Sequence, residues 1–177
     1  MAVQFEHSTF IYCNIVEMVK ELNIKIEILE SAEQLGKDDY LLLNTARKVT
    51  EEAYAPYSSF CVGAAAHLVN GEVVKGTNQE NASFPAGICA ERVLMSTASS
   101  IFPGIAIDTI AISYKNLNGK SDKPISPCGI CRQSMLEFQT RTQHPMRVIL
   151  SGQSGQIFII NNAADLLPLV FSAEDMK

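Results

Sequence analysis

The chain has 177 residues, 47% of them hydrophobic, and a formal net charge of −5. A chain of that length buries roughly 70% of its unfolded surface, so one core suffices without covalent staples. The negative balance argues against a nucleic-acid binder, which needs a basic face, and leaves a small neutral ligand open. Five cysteines, an odd number in a chain this long, do not read as a disulfide scaffold. No apolar run reaches the roughly 18 residues of a membrane span. The opening MAVQFEHSTFIYCN has no basic stretch leading into a clean apolar one. The expectation is a reduced, cytoplasmic protein with no membrane partner.

Residues 1–36 read as an N-terminal extension ahead of a single domain over 37–177. Apolar residues at helical spacing (Ile11, Ile15, Met18, Val19, Leu22) predict a helix over Phe10–Leu22. The alternation Ile24-Lys25-Ile26-Glu27-Ile28 predicts a strand ending at Leu29. Asp38–Ala53 predicts a helix with Leu42, Leu43, Ala46 and Val49 on one face. After the turn Tyr54–Ser59, strands are expected at Phe60–Val69 and Glu72–Thr77, joined by Asn70-Gly71, a strong hairpin signal. Asn78–Gly87 reads as a loop, Ile88–Ser100 as a helix and Ile105–Tyr114 as a strand. Ser126-Pro127 pairs a capping residue with proline, which predicts a helix starting there and running to about Gln139. Short strands follow at Met146–Ser151 and Gln156–Ile160, then a last helix at Ala163–Val170. This order predicts a three-layer α/β/α sandwich around a mixed sheet.

Chemistry concentrates in two stretches, Cys89-Ala90-Glu91 and Pro127-Cys128-Gly129-Ile130-Cys131. Each cysteine is expected in the first turn of a helix, where unpaired N–H groups and the helix dipole favour a thiolate. Cys89, Cys128 and Cys131 are therefore candidate Zn²⁺ ligands. Three ligands leave one tetrahedral position open, which marks a catalytic site rather than a closed structural one. At such a site zinc brings the pKa of water to about 7. Three thiolates work against that effect, and Arg92 is the candidate that offsets them by hydrogen bonding to a ligand sulfur. Glu91, two residues after a ligand, is placed to move protons as the catalytic acid and base. A C-x-x-C alone also fits a redox pair, or half of a structural zinc site completed by Cys61, Cys13 or a histidine. The two stretches in this order are more specific than either alone.

A zinc ligand-x-Glu followed by Pro-Cys-x-x-Cys is the signature of zinc deaminases. Over residues 38–176 the chain resembles the cytidine deaminase family, in its small three-cysteine form. The matching stretches are Ala55–Ala65, Asn78–Ala82, Gly87–Arg92, Ser126–Gln133 and Leu166–Asp175. The resemblance implies hydrolysis of cytidine and deoxycytidine to the uridine products and ammonia, a pyrimidine salvage reaction, in a homotetramer. It implies Asn78 and Glu80 at the ribose, Phe60 near the base and the Ala90 backbone holding the base. Phe84 stands where the family usually has tyrosine, and Phe171 matches an aromatic that reaches into a neighbouring subunit's site. Read without the family, Phe60 and Phe171 fit core packing, Asn78 a turn and Glu80 a solvated loop charge. A related cytosine nucleoside such as blasticidin S is the alternative substrate, and a non-catalytic zinc module the alternative function. Cys61 replaces the proline usual after the motif phenylalanine.

Overall fold

The computed structural model describes residues 20–177. Within them nine regular elements follow in order: β1 (Glu27–Leu29), α1 (Lys37–Val49), β2 (Phe60–Leu68), β3 (Val73–Thr77), α2 (Ala90–Ile101), β4 (Ile107–Asn116), α3 (Gly129–Thr142), β5 (Arg147–Ser151) and β6 (Ile157–Ile160). The strands form one sheet in the order β1-β6-β5-β4-β2-β3. Only β4 and β5 run parallel, joined through α3; the other neighbours are antiparallel. The sheet is therefore mixed, as the element order predicts.

Alternation along the central strands divides the core into two layers. Ala64, Ala66 and Leu68 of β2, Ile110 and Ile112 of β4, and Val148 and Leu150 of β5 face α2 and α3. Ala65, Ala111, Ile149, Ile157 and Ile159 face α1, which covers them with Leu42, Leu43 and Ala46. Helices on both faces complete the three-layer sandwich. Small side chains let α2 approach the sheet: a Cβ on Gly76 would stand 2.5 Å from the Ala90 carbonyl oxygen and 2.5 Å from the Leu94 nitrogen. The start of α2, which carries Glu91, is seated directly on β3.

The hairpin forms as its turn residues require. Gly71 takes φ +89°, a region open to glycine without steric cost. Elsewhere the boundaries differ from expectation for identifiable reasons. The helix at 38–53 ends at Val49 and tightens into a 3₁₀ turn over Thr50–Glu52. The third helix starts at Gly129 with Cys128 as its cap, so Ser126 and Pro127 lie outside it. It runs on to Thr142, beyond the expected Gln139, and stops where Gln143 adopts the left-handed conformation. The last helix shrinks to a 3₁₀ turn over Ala163–Leu166. Pro168 cannot donate a helical hydrogen bond, and Leu169 sits at φ +56°.

Of the extension, the strand expected over 24–29 is present at Glu27–Leu29, where it adds an edge to the sheet beside β6. The helix expected over Phe10–Leu22 falls mostly outside the described residues, as does Cys13; Lys20–Leu22 belong to no regular element.

Candidate active site

The starts of α2 and α3 meet on one side of the sheet. Cys89 caps α2 and Cys128 caps α3, both in extended backbone (φ −74° and −66°), while Cys131 follows in the first turn of α3. Two of the three cysteines thus precede their helices rather than lying within them, and a capping residue is free of helical φ/ψ. Cys89 Sγ lies 3.8 Å from Cys128 Sγ, and Cys128 Sγ lies 3.4 Å from Cys131 Sγ. All three sulfurs fall within 4.8 Å of one another. Sulfurs on a tetrahedral zinc at about 2.3 Å would be about 3.8 Å apart. The triangle fits one zinc ion with its fourth corner open. Among the described residues no further histidine, cysteine or carboxylate joins the cluster, so neither Cys61 nor a described histidine closes it.

The sulfurs are electrostatically unequal. Cys131 is fully buried, Cys89 half-buried and Cys128 exposed. The thiol of Cys89 is held down to about 6, chiefly by its hydrogen bond with Cys131; burial opposes this, and Cys128 and the Arg92 charge add to it. The same hydrogen bond, with burial and the nearby Glu91, pushes Cys131 up. Arg92 acts on the cluster through space. Among the described residues its guanidinium makes no hydrogen bond to a sulfur.

Glu91 is the anomaly in its helix. Buried residues of α2 fall at 90, 91, 94, 95 and 98, the spacing of one helical face, and a carboxylate occupies that stripe. It is 5% exposed. Burial is the main force raising its pKa above the ordinary carboxylate range; the Cys89 charge adds to this, while its own backbone N–H and a hydrogen bond with Cys131 oppose it. A carboxyl group so raised holds a proton more readily than an exposed one, which suits it to accept and return one.

A cavity of about 340 Å³ opens beside Cys89, lined by Asn78, Glu80, Asn81, Phe84, Gly87 and Ile88, among others. That volume suits a small molecule. A larger groove of about 600 Å³ between α2 and α3 has no cysteine in its lining. The loop holding Asn78 and Glu80 is fixed by backbone pairing. Gln79 and Ile88 exchange two hydrogen bonds of 2.9 Å, and the Glu80 N–H donates to Tyr54 at 2.8 Å. Asn78 Oδ1 accepts from the Val62 N–H at 2.7 Å, and its Nδ2 donates to the Phe60 carbonyl at 2.9 Å. One amide proton and one lone pair of Asn78 are left for a ligand. Glu80 accepts from the backbone N–H groups of Tyr57 and Ser58 at 2.8 and 3.3 Å. Its pKa is lowered, first by the Ser58 hydroxyl and then by the Tyr57 N–H.

The structure gathers Cys89, Cys128, Cys131 and Glu91 into one cluster, and Asn78, Glu80 and Phe84 into the adjoining cavity. Ala90 is fully buried at the α2 start. Phe60 is half-buried and stacks on Tyr114, with ring centres 4.8 Å apart, outside the cavity lining. Phe171 is 60% exposed, and its carbonyl accepts from Gln133 Nε2 at 2.9 Å, away from the cavity. Sequence reasoning missed Tyr57, which meets Phe84 edge-on at 5.8 Å, and Tyr114 beneath Phe60. Tyr57 lies inside the Ala55–Ala65 stretch, but its pairing with Phe84 depends on a loop closure that spacing does not reveal.

Comparisons with known proteins converge on the same region. The cytidine and deoxycytidylate deaminase zinc-binding region matches residues 37–144. A cytidine deaminase of Halalkalibacterium halodurans is 39% identical over 140 residues, which span 79% of this chain and 98% of that protein. The crystal structure of a cytidine deaminase from Burkholderia pseudomallei superposes with a TM-score of 0.65 at 37% identity, covering 75% of this chain and 98% of the other. That of a cytidine deaminase from Mycobacterium tuberculosis gives 0.59 at 28% identity, covering 77% and 99%. The three-sulfur cluster, the buried glutamate and these matches agree: the chain belongs to the cytidine and deoxycytidylate deaminase family of zinc enzymes.

Proposed function

We propose that this enzyme hydrolyses cytidine and deoxycytidine to uridine and deoxyuridine, releasing ammonia. The observation that carries the reading is a buried carboxylate beside a three-thiol cluster whose spacing fits zinc with one corner open. Cys89, Cys128 and Cys131 hold the metal, which when bound supplies Lewis acidity that makes water a nucleophile near pH 7. Glu91 takes one proton from the attacking water and passes it to the ring nitrogen, then takes a second from the hydroxyl added to the ring carbon and passes it to the departing amine, so that ammonia leaves as the carbonyl forms; its raised pKa suits both directions. Asn78 and Glu80 bind the sugar hydroxyls. Glu80, already fixed by two backbone N–H groups, offers its remaining lone pairs without reorganising. Phe84 gives the pyrimidine a flat apolar partner. Phe60 and the Ala90 backbone sit behind the base, and Arg92 tempers the charge of the thiolates. Residues 37–177 form the catalytic unit.

Phe171, projecting from the tail, completes a neighbour's site in a homotetramer. Phe171→Ala is then expected to raise KM with little change in Tm, and full activity of a monomer in light scattering would contradict the assembly.

The substrate is tested by following the ultraviolet absorbance of cytidine, deoxycytidine and blasticidin S with zinc-loaded enzyme. Loss of the cytosine band with the first two is expected. Turnover of blasticidin S alone would shift the reading to that alternative substrate, and no turnover of any would leave a non-catalytic zinc module.

A further inference from the structure

The run Ile24–Ile28, which leads into β1, carries a self-complementary pattern of residues. Among the described residues β1 is the sheet edge, paired on its inner side with β6 alone. β1 pairs with β6 only from Glu27 onward, and residues 24–26 pair with no described strand. Ile24, Ile26 and Ile28 are 44%, 43% and 54% exposed. If the strand is continued upstream of Glu27, the alternation places these three on one face, and Lys25 and Glu27, both exposed, on the other. Such a row of isoleucines on an open edge invites another strand, and edge strands usually carry charges that forbid it.

Here the two charges select a partner instead. In an antiparallel pair of two copies centred on Ile26, Lys25 stands opposite Glu27 of the second copy, and Glu27 opposite its Lys25. On the other face Ile24 meets Ile28, Ile26 meets Ile26 and Ile28 meets Ile24. Every cross-strand pair in the window 24–28 is favourable. Parallel in-register pairing would set lysine beside lysine and glutamate beside glutamate. Antiparallel pairing centred on Lys25 or on Glu27 would bring like charges together at the axis. Glu27 already accepts from Asn161 Nδ2 at 2.9 Å through one oxygen, which leaves the other for a lysine.

The geometry points to β1 as a twofold contact between two copies of this chain, an antiparallel strand pair over residues 24–28 that joins their sheets edge to edge. The contact is isologous, as a twofold axis requires. It lies on the far side of the sheet from β3, and it is independent of the substrate reading above.

The test is charge reversal with rescue. Sedimentation velocity of the full chain is compared for wild type, Lys25→Glu, Glu27→Lys and the double swap Lys25→Glu/Glu27→Lys. Each single change sets like charges opposite each other and is expected to halve the particle mass; the double swap restores complementarity and the wild-type mass. As a second measurement, Ile26→Cys is expected to form an intermolecular disulfide under mild oxidation that wild type and Val69→Cys, an exposed control in the β2–β3 turn, do not form. Equal masses in all four proteins, or no intermolecular cross-link in the Ile26→Cys variant, would overturn the contact and leave this face to residues 1–19 or to solvent. Cytidine turnover is read in parallel. Turnover without the mass pattern rejects the β1 contact alone; the mass pattern without turnover rejects the substrate reading alone.

Discussion

A carboxylate in the apolar stripe of a helix costs free energy, because burial disfavours its charge. Glu91 tolerates that position for two reasons visible in the structure: it lies in the first turn of α2, where the dipole favours a negative group, and hydrogen bonds from its own N–H and Cys131 partly offset burial. Such local strain against stability is common where a side chain is kept for chemistry. Glu80 shows the opposite balance. Its lowered pKa means that its hydrogen bonds to the 57–58 turn favour the ionised form. The stability it contributes is present above the ordinary glutamate value of about 4.3 and is lost as pH falls through its lower folded value. The Tm difference between wild type and Glu80→Gln is therefore expected to shrink as the pH drops below about 4.3. A difference that stayed constant with pH would mean that the charge of Glu80 does not hold the turn.

At the scale of elements, the site depends on how closely α2 approaches β3. Gly76 makes that approach possible, and Gly76→Ala forces a methyl group against the Ala90 carbonyl and the Leu94 nitrogen. Overpacking of this kind costs about 1–3 kcal/mol. Because the clash falls one residue from Glu91, kcat is expected to drop along with Tm, whereas Gly36→Ala, in open space, should change neither. Much of this architecture could be read in advance. Asn70-Gly71 between two strand-like runs locates β2 and β3, and the stripe Leu42, Leu43, Ala46 and Val49 locates the buried face of α1. Helix ends were harder, since a thiol cap at Cys128 displaces the better-known Ser-Pro signal two residues earlier. The last helix misled for the same local reason: its apolar run is periodic, but Pro168 and a left-handed Leu169 break it. In the site, ligands close in sequence or in a known motif were legible. The Phe60–Tyr114 stack and the Tyr57–Phe84 contact were not, because each joins separate elements.

For the whole molecule, zinc would tie together the starts of α2 and α3, whose buried faces already share one apolar cluster. A ligand that binds only the folded state stabilises it by RT ln(1 + [L]/Kd), about 4 kcal/mol at a thousandfold excess over Kd. Chelation is thus expected to lower Tm by several degrees and to expose the Cys89 and Cys128 thiols to a thiol reagent; added zinc should reverse both. An unchanged Tm after complete zinc removal would mean that the cluster does not hold the metal in the folded state.

The role of Glu91 is most directly tested by Glu91→Gln, which keeps the volume of the side chain and removes its proton exchange. Zinc content by atomic absorption and cytidine turnover by ultraviolet absorbance are measured on the same samples of wild type and variant. The expected result is equal zinc and Tm no lower than wild type, with turnover reduced about 10²–10⁴-fold. Equal turnover in the two proteins at equal zinc content would contradict the assignment of Glu91 as the proton-transferring group.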